Sequence, residues 1–287
     1  MGNALRLSRS NHSVGKIGVF DSGVGGLTVL REIVRRLPYE SVLYFGDTAR
    51  LPYGERSPAE ILRYVREIIG WMLSQGVKMV VMACNTSSAL ALERVQSEFD
   101  VPILGVILPG VRAAVKTGQC IGVISTQATA ESGAYRQAIL EINSDVQVWQ
   151  VGCPEFVPLI EQNRIYDPYT RSVAQRYLEP LLKANIDTLI YGCTHYPHLE
   201  PVLRQLLPGH IKLIDPAKSL VRAMGRELDL LGLRNGKQIY SIEFYVSGDP
   251  EQFAQTSTQC LGYRPPVKRV SLAPLEPSQT AEIRLVS

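Results

Sequence analysis

Two short segments of the chain, VVMACNT at 80–86 and LIYGCTH at 189–195, share one build: an apolar run that stops at a cysteine and gives way to small polar residues. A second pair, GVFDS at 18–22 and GVIST at 122–126, recurs at nearly the same spacing, an offset of 104 against 109. Short Val/Ile-rich runs that end in Gly, Ser, Asn or Thr and lead into helix-period stretches are the pattern of a parallel sheet with crossover helices. The repeat therefore predicts an α/β chain of two similar parallel-sheet domains. Open parallel sheets bind ligands beyond the carboxyl ends of their strands. Two such units facing each other would bring both cysteines to one cleft.

The same reading predicts strands at 17–20, 42–46, 78–83, 103–107, 120–124, 147–151, 188–191 and 211–214. Helices are expected over 26–36, 58–75, 86–98, 131–142, 170–184 and 198–206. Residues 1–15 are polar and aperiodic and read as a flexible leader. The tail from about 264, with Pro265, Pro266, Pro274 and Pro277, reads as irregular.

A chain of 287 residues buries about three quarters of its unfolded surface, so its core needs no staples. Its five cysteines, Cys84, Cys120, Cys153, Cys193 and Cys260, are an odd number without C-x-x-C spacing, and no apolar signal segment precedes them. A disulfide scaffold and a zinc ribbon are thereby disfavoured. Basic residues number 30 against 27 acidic ones, but Arg6, Arg9 and Lys16 lie in the acid-free first 16 residues, so the rest of the chain balances. A neutral body lacks the clustered cations that nucleic-acid binding requires. The longest apolar runs, near 79–84 and 101–108, are too short to span a bilayer, and no membrane association is expected.

Cys84 and Cys193 each stand where a helix is expected to begin, and free N–H groups there favour a thiolate. One isolated cysteine in such a place is usually a small packed side chain. Two at matching ends of two similar units are harder to ascribe to packing. Paired thiols across a cleft suit the removal of a proton from one face of a carbon acid and its return to the other, with thiol and thiolate exchanging roles. Cys120 and Cys260 read as structural, and Cys153, before Pro154, is ambiguous.

Asp21-Ser22-Gly23-Val24-Gly25-Gly26 fails as a dinucleotide loop, since Thr28 occupies the third glycine position, and as a P-loop, since no Lys follows. It reads as a tight turn that leaves Asp21 placed to hold an ammonium group or tune a thiol. Cys193, His195 and His198 could be pictured on a metal, but no partner cluster of suitable spacing accompanies them.

Five separated stretches together resemble the glutamate racemase family: VFDSGVGGLTV at 19–29, YFGDTARLPYG at 44–54, ACNTSSA at 83–89, CPEFVPLIE at 153–161 and GCTHYP at 192–197. The resemblance implies interconversion of L- and D-glutamate without cofactor or metal, for peptidoglycan synthesis. It implies that Cys84 deprotonates D-glutamate and Cys193 deprotonates L-glutamate, with Asp21 assisting the first thiol and Glu161 and His195 the second. Substrate contacts would fall to Asp21, Ser22, Pro52, Tyr53, Gly54, Asn85, Thr86, Thr126, Thr129, Thr194 and His195. ISTQAT at 124–129 departs from a commoner glycine-bearing pattern but keeps both threonines.

The resemblance further implies a first domain of residues 16–107 plus 219–262, a second of 108–218, a tail from 263, a homodimer and a cytoplasmic location. Two alternatives use the same residues differently. A racemase of another acid, such as aspartate, would keep both thiols and change the side-chain contacts. A non-catalytic two-lobe amino-acid binder would not need thiols at all.

Overall fold

In a computed structural model, which describes residues 15–236 and 240–272, the strands form two all-parallel sheets. The expected leader, apart from Gly15, and the tail beyond 272 lie outside the described residues. The chain first lays down β1 (Lys16–Asp21), β2 (Val42–Gly46), β3 (Val77–Met82) and β4 (Ile103–Gly105). It continues with β5 (Cys120–Ser125), β6 (Gln147–Gly152), β7 (Thr188–Gly192) and β8 (Lys212–Ile214), then β9 (Ile242–Val246) and β10 (Val267–Arg269). The first sheet has the order β10-β9-β2-β1-β3-β4 and the second β6-β5-β7-β8. The chain is thus an α/β protein with two parallel sheets.

Central strands β2, β3 and β7 are buried along their whole length, as expected of parallel strands covered on both faces. Helix Ile107–Val115 carries the chain from the first sheet to the second, and helix Pro216–Leu230 carries it back. These two helices pack on each other. Their apolar side chains Val111, Ala114, Leu220 and Met224 join Val19 of β1 and Val123 of β5 in one continuous core. The faces turned away from it have cores of their own, around Leu189 in the second sheet and Phe20 in the first.

Local signals explain several helix ends. Ser57 opens helix Pro58–Ser74 with a capping box to Glu60 and proline in the first turn. The single helix expected over 131–142 is instead two, Gln127–Ser132 and Ala134–Ile142, because Gly133 sits between them at φ 68°, a conformation glycine adopts without strain. The tail reading from 264 also needs correction: Val267–Arg269 pairs in parallel register with Phe244–Val246 as an edge strand. The prolines at 265 and 266 precede that strand, where they remove no ladder bond. Cys260, read as structural, belongs to helix Pro250–Leu261.

At the opposite end of the first sheet from the cysteine junctions, Lys78 is buried. Its ammonium lies 2.7 Å from Glu40 and donates to the Leu233 carbonyl and the Asn235 amide oxygen, both at 2.6 Å. Glu40 in turn accepts from the Asn235 N–H at 2.9 Å, so the group pins the chain after helix Pro216–Leu230 to the sheet. Burial pulls the Lys78 pKa down and Glu40 holds it up. Lys78→Met leaves Glu40 as an uncompensated buried charge, with an expected loss of about 3–5 kcal/mol in denaturant unfolding. A loss within error of zero would show that this cluster does not hold the two segments together.

Candidate active site

The carboxyl ends of β1, β3, β5 and β7 deliver Asp21, Cys84, Thr126 and Cys193 to one region. A cavity of about 370 Å³ lies there, within the range of small-ligand sites, lined from both sheets. Cys84 and Cys193 both line it and are 5% and 6% exposed. Ser22, Pro52, Tyr53, Gly54, Asn85 and Thr86 line it from the first sheet's side. Thr126, Glu161, Thr194 and His195 line it from the other. Asp21 and Thr129, expected to touch substrate, are fully buried and stand behind this lining.

Cys84 is the N-cap residue of helix Asn85–Gln96, as its sequence context predicts. Its sulfur reaches the Ser22 hydroxyl at 4.0 Å. The expected tilt toward thiolate is not what the surroundings produce. Burial first, and then the negative charge of Asp21, push the Cys84 thiol up to about 12. Asp21 itself accepts from the Gly23 N–H at 3.0 Å and from the Thr194 hydroxyl at 3.3 Å, the latter across the two halves of the molecule.

These shifts give a testable reactivity. Alkylation of Cys84 by iodoacetamide is expected to lag behind that of an ordinary thiol until the pH passes well above about 9. Asp21→Asn removes a charge that opposes the thiolate, so it should move the reaction to lower pH. Mass-spectrometric mapping of modified cysteines against pH checks both. Identical profiles for wild type and variant would show that Asp21 does not act on this sulfur.

On the other side, Cys193 follows β7 and is separated by Thr194 and His195 from a 3₁₀ turn, Tyr196–Leu199, that runs on into the short helix Glu200–Leu206, so Cys193 does not itself cap a helix. Its sulfur lies 3.8 Å from His195 Nδ1. His195 Nε2 is 3.3 Å from Glu161 Oε1, an ion-pair contact without hydrogen-bond alignment. Burial opposes a positive charge on His195, but Cys193, Glu161 and Asp21 outweigh it and raise its pKa well above the usual imidazole range. His195 Nδ1 is the ring atom that faces Cys193. Glu161 ends helix Phe156–Glu161.

Three hydroxyls bridge the cleft: Thr86 and Thr126 are 3.0 Å apart, Thr126 and Thr129 2.9 Å, and Thr129 and Thr86 3.2 Å. Thr126 also caps helix Gln127–Ser132, which settles the path of the ISTQAT segment. Asn85 accepts from the Tyr135 hydroxyl at 2.6 Å. Sequence reasoning missed Leu51, Glu55, Gln127, Cys153, Pro154, Val157, Pro158 and Gln162, which also line the cavity. Leu51 and Cys153 lay inside recognised motifs, whereas Gln162 carried no signal. His198 turns away from Cys193: its Nε2 is 3.7 Å from Cys260. Among the described residues no group of three His, Cys, Asp or Glu side chains could hold a metal ion. No helix among them is long and apolar enough to cross a membrane.

Residues 17–224 match the Asp/Glu/hydantoin racemase family. The glutamate racemase of Synechocystis sp. is 66% identical over 257 residues, covering 90% of this chain and 92% of its own. A crystal structure of a glutamate racemase isoform from Bacillus anthracis superposes with a TM-score of 0.89 at 37% identity, covering 92% of this chain and all of that one. Glutamate racemase from Francisella tularensis, solved with D-glutamate, superposes with a TM-score of 0.86 at 35% identity, covering 90% of this chain and 98% of that one.

Proposed function

The chain belongs to the Asp/Glu/hydantoin racemase family, and we propose that it interconverts L-glutamate and D-glutamate by proton transfer between two cysteines, without a cofactor. One observation carries the mechanism: two buried thiols, at corresponding strand ends of two sheets, line one cavity of a size suited to a small amino acid. In the L-to-D direction Cys193 as thiolate removes the α-proton, and Cys84, which its surroundings keep protonated, supplies a proton to the opposite face. Cys193 ends as thiol and Cys84 as thiolate, ready for the reverse reaction. Asp21 opposes the Cys84 thiolate, while the His195 imidazolium, held by Glu161, stands by Cys193.

No lysine or arginine lines the cavity among the described residues. Apart from His195, the donors open to the carboxylates of glutamate are neutral: Ser22, Asn85, Thr86, Thr126, Thr194 and the backbone N–H groups of Tyr53 and Gly54. Thr129 acts one step back, through the other two threonines. The proposal extends to supply of D-glutamate for peptidoglycan by a homodimer in the cytoplasm, a reducing compartment with which five free thiols agree.

Incubation with L-glutamate in D₂O, without added cofactor or metal, tests the reading. Optical rotation should decay to zero and the D-glutamate formed should carry deuterium at Cα. Inactivity on L-glutamate with turnover of L-aspartate would replace the substrate. Inactivity on every amino acid tried, with retained binding, would leave a two-lobe binding protein.

A further inference from the structure

The loop Leu51–Gly54 forms one wall of the cavity, and it is held in place from behind. The Tyr53 hydroxyl donates to Asp47 Oδ2 at 2.5 Å, and Tyr53 is 2% exposed. Asp47 directly follows β2, is fully buried and does not itself line the cavity. Its N–H donates to the Asp21 carbonyl at 2.9 Å. Its Oδ1 accepts at 2.7 Å from the hydroxyl of Ser247, the residue after β9, and that hydroxyl accepts from the Ala49 N–H at 3.0 Å. Arg50 places Nη1 3.6 Å from Oδ2, pairs through Nη2 with Glu67, and lies 4.4 Å over the Tyr64 ring.

A buried carboxylate is costly unless charge and hydrogen bonds compensate it. Packing alone would be served by phenylalanine at 53 and an apolar residue at 47. Asp47 instead converts the ends of β2 and β9 into a rigid mount, and the one bond it extends toward the cavity goes to Tyr53. We propose that Asp47 is a positioning residue that acts through the Tyr53 hydroxyl, fixing the Pro52–Gly54 backbone where the non-reacting end of the substrate rests. The inference rests on the racemase reading above. A wall that carries neither thiol touches ground state and transition state alike, so loosening it weakens binding and spares the chemical step.

The test uses the full chain as wild type, Tyr53→Phe, Asp47→Asn and the double variant. Steady-state racemisation is measured in both directions, with calorimetric binding of racemic glutamate. Each single substitution should raise KM and Kd by about ten-fold, the scale of one charge-assisted hydrogen bond, while kcat stays within about two-fold. The double variant should be no worse than the worse single, because both remove one interaction. Unchanged KM and Kd in Tyr53→Phe, a fall in kcat with KM kept, or additive losses would each overturn the inference. Should Asp47→Asn fail to fold, Tyr53→Phe decides alone. A wild type that neither binds nor racemises glutamate removes the racemase reading and this one with it. An active wild type with unmoved variants removes only this one.

Discussion

Cys84→Ala and Cys193→Ala are each expected to abolish racemisation in both directions, by at least about 10³-fold in kcat, because inversion needs an acid on one face and a base on the other at the same time. Both side chains are small, and trading a buried thiol for a methyl group costs about 1 kcal/mol, so thermal unfolding should change little. Cys120→Ala is the control: Cys120 opens β5, is partly exposed and donates to the Ala184 carbonyl at 3.4 Å, with no place in the cavity lining. Wild type in D₂O should label the product made from either enantiomer. The assisting groups should divide by side. Asp21→Asn should change the isotope effect of the direction in which Cys84 is the base, and Glu161→Gln that of the direction in which Cys193 is. Isotope effects and single-turnover steps must be read here, because the equilibrium constant fixes the ratio of forward to reverse kcat/KM. Substantial racemisation by either cysteine variant would sink the two-base assignment.

The two sheets were legible because the repeat is local: VVMACNT and LIYGCTH each encode a strand, its end and the turn beyond it. Cys84 and Cys193 reach one cavity because the two sheets present those strand ends to each other. What was not legible depends on residues far apart in the chain. β9 was not foreseen, and β10 follows two prolines in a stretch that reads as irregular; each strand is fixed by its parallel neighbour rather than by its own few residues. The electrostatics of Cys84 misled for the same reason. A helix N-terminus is visible in sequence and favours the thiolate, but burial and the proximity of Asp21, 63 positions earlier, act the other way and prevail. Asp21 was expected at the substrate, yet the tertiary packing sets it one layer back, where it meets Thr194 from the other half of the molecule.

Gly25 reads in the sequence only as part of a tight turn, yet it faces the second half of the site. Its backbone is not in the left-handed region, so conformational freedom does not explain it. Space does: a Cβ built there would stand 2.4 Å from the Thr194 hydroxyl and 2.6 Å from His195 Nδ1. Neither neighbour can retreat freely. Thr194 is bonded to Asp21, and His195 is held between Cys193 and Glu161. Gly25→Ala must therefore push the Cys193–His195 segment away from the first sheet, widening the distance across which the two thiols share a substrate. A displacement near 1 Å at a reacting group lowers rate by about 10²-fold, and kcat/KM should fall on that scale, while overpacking costs about 1–3 kcal/mol of stability. Gly23→Ala, in the same turn, is the comparison: its Cβ would meet only Leu51, at an ordinary 3.5 Å, and activity should stay within about three-fold of wild type. Near-native kinetics for Gly25→Ala would mean that the two halves of the site tolerate separation, and that Cys84 and Cys193 need not be held in fixed register for inversion.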